Sequence, residues 1–290
     1  MNQILSVDRV VLAFNFFNLE SVQAIRTAYE GARDQGSGVG VMLACSTSAL
    51  KYMGDGFVRW VTTGELPVHL DHGANLAQIK HAIDLGFHSV MIDGSHLPFD
   101  ENVALTRAAV EYAHASGVVV EGELGTIGGV EDDRAADSII YTKPEDVKKF
   151  HELTGVDSLA IAIGTSHGAY KGQGQGQGAG ILKFDILREI RALNPTLPLV
   201  LHGASSIPKK YTDILGLPNA GGIPESELRE AVRLGINKIN IDSDARLAFM
   251  ARLKTEMAAN PDKFDPRFFL GKARDEMISY YTSALDLINK

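Results

Sequence analysis

Residues 238–242 read Lys-Ile-Asn-Ile-Asp. In an extended segment successive side chains point to opposite sides, so Lys238, Asn240 and Asp242 share one face while Ile239 and Ile241 share the other. An inward polar face and an outward apolar face that meets helices is the pattern of a strand in a closed parallel barrel.

Seven more short apolar, β-branched runs precede it, at 10–15, 40–45, 66–72, 89–93, 118–123, 158–163 and 197–202. Amphipathic segments lie between them at 19–35, 76–85, 102–116, 144–154, 184–194 and 225–234, and several end in glycine as helices commonly do. Eight strand–helix units predict one α/β domain over residues 1–290, a (β/α)8 TIM barrel with inserted active-site loops and a C-terminal helical tail. A doubly wound open sheet is the alternative, with fewer strands.

Three inserts break the rhythm, at 125–141, 171–180 and 207–224, the second a repetitive Gly/Gln tract that cannot pack. All follow predicted strands, and in a barrel the loops at the strands' C-terminal ends build the site. Beyond the last strand, residues 245–290 read as packing or oligomer surface.

The 290 residues carry a formal net charge of −8 and a pI near 5.6, which argues against a nucleic-acid surface. No apolar run approaches the roughly 20 residues needed to cross a bilayer, so no membrane span is expected. One cysteine, Cys45, and no leader-like N-terminal pattern predict a cytoplasmic protein without disulfides.

Of nine histidines, three precede glycine: His72–Gly73, His167–Gly168 and His202–Gly203. Each closes or shortly follows a predicted strand, so a barrel would bring the three imidazoles to one mouth. Three imidazoles suit Zn2+ or a similar ion with a position left for substrate, whereas closed structural sites commonly use cysteines. The other histidines, His69, His81, His88, His96, His114 and His151, lack this context and are assigned to packing or surface.

Acids gather at strand ends as well: Asp71, Asp93, Glu123 and Asp242. Asp71 and His72 are neighbours, so the strand must break there if both face the mouth. Gly168, the 203–206 stretch and Asp242–Ser243 offer unobstructed backbone N–H groups suited to phosphate.

With these residues in place, the chain resembles the class II, metal-dependent fructose-bisphosphate aldolases, including the tagatose-bisphosphate branch, over nearly its whole length. The matching stretches are AFNFFNLE at 13–20, HLDHG at 69–73, SVMIDGSHLPFDEN at 89–102, EGELGTIGG at 121–129, AIGTSHGAYKG at 162–172, LHGASS at 201–206, KINIDSD at 238–244 and FDPRFFLGKAR at 264–274.

The resemblance implies a (β/α)8 barrel in which His72, His167 and His202 hold the catalytic Zn2+, with Asp93 and Glu123 as an alternative or second metal position. It implies Asp71 as the acid/base at the bond to be cleaved, and Glu131 in the 125–141 loop as the residue moving the proton on the dihydroxyacetone-phosphate carbon. Triose-phosphate contacts carry over to Gly168, Gly203, Ala204, Ser205, Asn240, Ile241, Asp242 and Ser243, and Asn15 and Ser46 match family active-site positions.

The resemblance also implies a monovalent cation (Na+ or K+) near Gly168 and Gly203, Co2+ as a substitute metal, and a homodimer or homotetramer in which Arg274 completes a neighbour's site. Departures at Phe17, where many relatives have Asn, at Ala204, where they have glycine, and in the Gly/Gln tract bear on fine specificity. The expected activity is reversible cleavage of fructose 1,6-bisphosphate, with the metal as Lewis acid stabilising an enediolate. Alternatives are tagatose-1,6-bisphosphate as substrate, a Schiff-base aldolase using Lys238, and a non-catalytic sugar-phosphate-binding subunit, against which Asp71, Glu131 and the three His–Gly pairs speak.

Overall fold

The computed structural model describes residues 4–131, 134–136, 139–168 and 181–289, and side chains over the same ranges except at 130, 131 and 134–136. The 171–180 insert with its Gly/Gln tract lies outside the described residues.

In chain order the strands are β1 (Val11–Asn15), β2 (Gly40–Ser46), β3 (Val68–Gly73), β4 (Ser89–Ile92), β5 (Val119–Leu124), β6 (Gly128–Glu131), β7 (Arg134–Ala136), β8 (Ser158–Ile161), β9 (Ser166–His167), β10 (Leu199–Leu201) and β11 (Ile236–Ile241). Eight of them pair in parallel in the order β1-β2-β3-β4-β5-β8-β10-β11, and β11 returns to β1 to close a (β/α)8 barrel. A second sheet, β7-β6-β9, is built from the loops that follow β5 and β8.

The helices are α1 (Leu19–Asp34), α2 (Thr47–Met53), α3 (Asp55–Thr62), α4 (Leu76–Asp84), α5 (Phe99–Ala115), α6 (Pro144–Thr154), α7 (Phe184–Leu193), α8 (Lys209–Leu215), α9 (Glu225–Arg233), α10 (Ser243–Ala259) and α11 (Pro266–Asn289). Local chemistry sets their starts: Asn18 and Ser21 cap α1 reciprocally, Ser46 accepts from the Ala49 N–H at the start of α2, and Asn75 accepts from the Gln78 N–H at the start of α4.

Residues 47–62, which carry no sequence expectation, form α2 and α3, and the 207–224 insert contains α8. The expected tail is part of the fold: α11 lies against α1 and α10, and Tyr281 packs at a tilt against Phe14 of β1 with ring centroids 4.5 Å apart. β8 and β10 fall furthest short of their apolar runs. Ala162 and Ile163 stay buried beyond β8, but the Ala162 N–H turns to Thr142 Oγ1, and β10 ends one residue before His202.

Alternation holds around the barrel. Ile239 and Ile241 join the large core between strands and helices, while Lys238 and Asn240 point inward. Inside, Ile4 and Leu5 pack beneath Val11, Ala13, Met42 and Ala44, and Met91, Ala160 and Val200 form a second apolar group. Apolar and polar inward positions share levels of the barrel: Val200 is level with Lys238, Met91 with Glu121 and Ala160 with Glu123.

Candidate active site

The chain does break at the end of β3. His72 adopts φ +53°, and the β3–β4 register slips between Leu70 and Gly73. This left-handed step brings His72 to the same mouth as Asp71, which a regular strand would forbid.

There the three imidazoles cluster: ring centroids are 4.6 Å apart for His72 and His202, 5.0 Å for His72 and His167, and 6.3 Å for His167 and His202. One donor atom from each of Asp71, His72 and His202 lies within 4.8 Å of the others, and the same holds for His72, Asp93 and Glu123. Clustered imidazole nitrogens and carboxylate oxygens, with Cys45 buried in the core elsewhere, fit a borderline divalent ion such as Zn2+ or Co2+.

Acceptor-only partners set the tautomers. His72 Nδ1 donates to Asp93 Oδ2 at 2.9 Å, so its lone pair is on Nε2, 3.9 Å from Asp71 Oδ1. His202 Nε2 donates to Glu121 Oε1 at 2.7 Å, so its lone pair is on Nδ1, 3.8 Å from the same oxygen. Carboxylate–histidine pairs of this kind orient metal-binding rings in many sites. Glu123 Oε2 lies 3.8 Å from His72 Nδ1, and Asp93 Oδ1 also accepts from the Ser95 N–H.

Asp71 is held at both oxygens. Asn15 Nδ2 donates to Oδ2 at 2.7 Å and Asn240 Nδ2 to Oδ1 at 3.0 Å, while Ser46 stands beside it in the β2–β3 register. From the sequence, Asn15 and Asn240 read as substrate contacts; the structure gives them a second task, fixing the carboxylate.

A cleft beside the cluster is lined by Asn15, His167, Gly168, His202, Gly203, Ser205, Asn240, Asp242 and Ser243, which gathers most of the expected phosphate residues. Gly168 and Gly203 have φ of +81° and +60°, and a side chain on Gly203 would lie 2.7 Å from the Ser166 carbonyl oxygen. Ser243 begins the 17-residue α10, whose N-terminal N–H groups favour anions. The negative Asp242 at that spot is offset by Arg246, whose Nε donates to both carboxylate oxygens at 2.7 and 2.9 Å. Ala204 and Ile241 are buried in the core, so only their backbones can serve a ligand.

Two further expectations concern residues outside this cluster. Within one chain Arg274 is not at the mouth; its Nη1 reaches Gln23 of α1 at 2.9 Å. Glu131 ends β6, and its side chain lies outside the described residues, but the backbone of β6 pairs with β9, setting Gly129 opposite His167.

The sequence alone does not group Glu121, Lys238 and His69, nor does it show the separate role of Asp244. His69, expected in packing or at the surface, is fully buried and hydrogen-bonded: Lys238 Nζ donates to its Nε2 at 3.0 Å and to Glu121 Oε2 at 2.7 Å. Burial, aided by the Lys238 charge, pushes His69 down to about 3, and burial likewise lowers His202 to about 4. Burial alone would raise Glu121, but Lys238 and the His202 hydrogen bond outweigh it and hold its carboxyl well below the usual range. The signal was available as parity, since Glu121 is two residues before Glu123 and His69 two before Asp71. Asp244 accepts from the Ser206 and Ile207 N–H groups and from Tyr280, tying the loop after β10 to α11.

The comparisons with known proteins agree with this geometry. The family described as class-II fructose-bisphosphate aldolase matches residues 5–290. Fructose-bisphosphate aldolase of Giardia intestinalis is 45% identical over 276 residues, covering 91% of this chain and 83% of that protein. The Thermus caldophilus fructose-bisphosphate aldolase is 42% identical, with 95% and 91% covered. Among solved structures, a putative fructose-1,6-bisphosphate aldolase from Coccidioides immitis has 27% identity and a TM-score of 0.76, covering 97% of this chain and 91% of its own. The YdjI aldolase from Escherichia coli K12 has 26% identity and a TM-score of 0.74, with 99% and 92% covered.

Proposed function

From the premise that this chain belongs to the class-II fructose-bisphosphate aldolase family, we propose that it cleaves fructose 1,6-bisphosphate reversibly to dihydroxyacetone phosphate and glyceraldehyde 3-phosphate, with Zn2+ held by His72, His167 and His202. The observation that carries this reading is the convergence of the lone-pair nitrogens of His72 and His202 beside Asp71.

A divalent ion bound there supplies Lewis-acid stabilisation for the negative charge left when the carbon–carbon bond breaks. Asp71, pinned by Asn15 and Asn240, takes the proton from the hydroxyl at that bond in cleavage and returns it in condensation. Glu131 exchanges the proton on the dihydroxyacetone-phosphate carbon. Backbone N–H groups at Gly168, at Gly203, Ala204 and Ser205, and at Ser243 bind the triose phosphate, with Asn240, Ile241 and Asp242 shaping the floor of that cleft and a Na+ or K+ ion near Gly168 and Gly203. Ser46 contacts substrate beside Asp71.

Asp93 and Glu123 steer His72 and offer the second metal position. Arg274 serves a neighbouring copy in a homodimer or homotetramer, and the enzyme works in the cytoplasm; no helix among the described residues is long and apolar enough to cross a membrane. Fructose is preferred to tagatose bisphosphate because the relatives carry the fructose name.

The test is a coupled cleavage assay after exhaustive chelation. Activity should vanish and return with Zn2+ or Co2+, and full turnover by the metal-stripped protein would overturn the reading. Cleavage rates measured side by side decide between the two bisphosphates.

A further inference from the structure

Below the mouth, five side chains from five neighbourhoods of the barrel make one continuous hydrogen-bonded chain. Ser89 Oγ of β4 meets His69 Nδ1 of β3 at 2.8 Å; His69 Nε2 meets Lys238 Nζ of β11 at 3.0 Å. Lys238 Nζ meets Glu121 Oε2 of β5 at 2.7 Å, and Glu121 Oε1 meets His202 Nε2, just past β10, at 2.7 Å. None is more than 2% exposed.

The proton positions along this chain follow from its members. An ammonium only donates, so His69 Nε2 must accept and His69 Nδ1–H donates to Ser89. A carboxylate only accepts, so His202 Nε2 must carry a proton as long as Glu121 is ionised. Glu121 is buried, and an isolated carboxylate in a dry interior is strongly disfavoured; Lys238 is the cation that keeps it charged. Stability is a weak account of this pair, because apolar residues of similar volume commonly replace a buried ion pair without loss.

We infer that Lys238 and Glu121 are a positioning pair for the reaction: they lock His202 in the Nε2–H tautomer and so present Nδ1 to the metal. This rests on the proposed ligand role of His202. Lys238 is thus no nucleophile. It acts at one remove, through Glu121, and the His69–Ser89 arm holds its ammonium in place from the far side.

Two measurements test the inference. In metal-free wild-type protein with 15N-labelled histidine, long-range 15N–1H correlation in mildly alkaline buffer should show His202 as the Nε2–H tautomer; an Nδ1–H tautomer overturns the inference without any variant. In Lys238→Met, and separately in Glu121→Gln, Zn2+ affinity measured by competition with a chromophoric chelator should fall by about 10–100-fold, the usual worth of an outer-shell partner. The Lys238→Met spectrum should also lose the single His202 tautomer. A folded variant with wild-type Zn2+ affinity and an unchanged His202 tautomer would reduce the pair to a structural one. His202→Ala is run alongside: undiminished Zn2+ affinity there removes His202 from the ligands, while the wild-type tautomer still judges the pair.

Discussion

Gly129 lies opposite His167 in the β6–β9 pairing, so close that a methyl group on Gly129 would sit 2.4 Å from the His167 carbonyl oxygen. Its φ of +95° also disfavours any side chain. Two residues further along β6 is Glu131, so one short ladder links the loop bearing the proposed proton shuttle to a proposed metal ligand.

Gly129→Ala should therefore disturb both ends of that ladder. Backbone strain of about 1–3 kcal/mol adds to a contact that cannot be accommodated without shifting β9. We expect weaker Zn2+ binding together with a lower kcat, read by chelator competition and steady-state cleavage. Wild-type values for both would show that the ladder transmits nothing.

Asp71→Asn should keep the protein folded and metal-loaded while turnover falls by about 10²–10⁴-fold, the usual worth of a positioned acid/base. The amide cannot satisfy its surroundings as the carboxylate does, because Asn15 and Asn240 both offer N–H donors to it. Metal analysis and a cleavage assay on the same preparation check this; unchanged turnover would remove Asp71 from its role.

Borohydride added with substrate should trap no adduct on Lys238. Its amine is sealed from solvent and hydrogen-bonded to Glu121 and His69, leaving no approach for a ketone carbonyl. Intact-mass spectrometry reads the result directly, and a mass increase mapping to Lys238 would restore the Schiff-base alternative.

Acid should destabilise the metal-free protein earlier than carboxylate titration alone would suggest. His69 and His202, lowered by burial to about 3 and about 4 from 6.5, stay neutral in the fold, whereas the unfolded chain takes up their protons. Their contribution is full above pH 6.5 and is lost as pH falls toward those values, at up to about 1.4 kcal/mol per imidazole per pH unit. Glu121, also lowered, adds a loss of the same sign once pH passes below 4.5. Thermal melts of the metal-free protein should show Tm falling steadily below pH 6.5; a flat Tm down to pH 5 would contradict the buried neutral imidazoles.

Alternation made the barrel legible, because Ile239 and Ile241 could only face helices if Lys238 and Asn240 faced the interior. The three His–Gly pairs were legible too, since each marks a strand end. Less visible was anything set by tertiary pairing. β6 and β7 are short and share a sheet with the distant β9, and α2, α3 and α8 are short segments whose apolar stripes are too brief to announce themselves. The Lys238–Glu121–His202 chain was hidden for another reason: parity placed each member inward, but only the barrel's closure says which inward residues meet. The part played by Asp244 likewise depends on tertiary partners, Tyr280 and the Ser206–Ile207 backbone, that lie far from it in sequence.

The left-handed backbone at His72 bears on how the metal preference of this barrel could be redesigned. Exchanging an imidazole for a thiolate softens a site toward other ions. Among the described non-glycine residues only His72 and Ile207 have positive φ, so His167 and His202 offer ordinary backbone for such an exchange. At position 72, cysteine or glutamate would carry a conformational penalty that asparagine or aspartate largely escapes. Softening is therefore open at two corners of the triangle, whereas the third admits hardening more readily, toward oxygen donors.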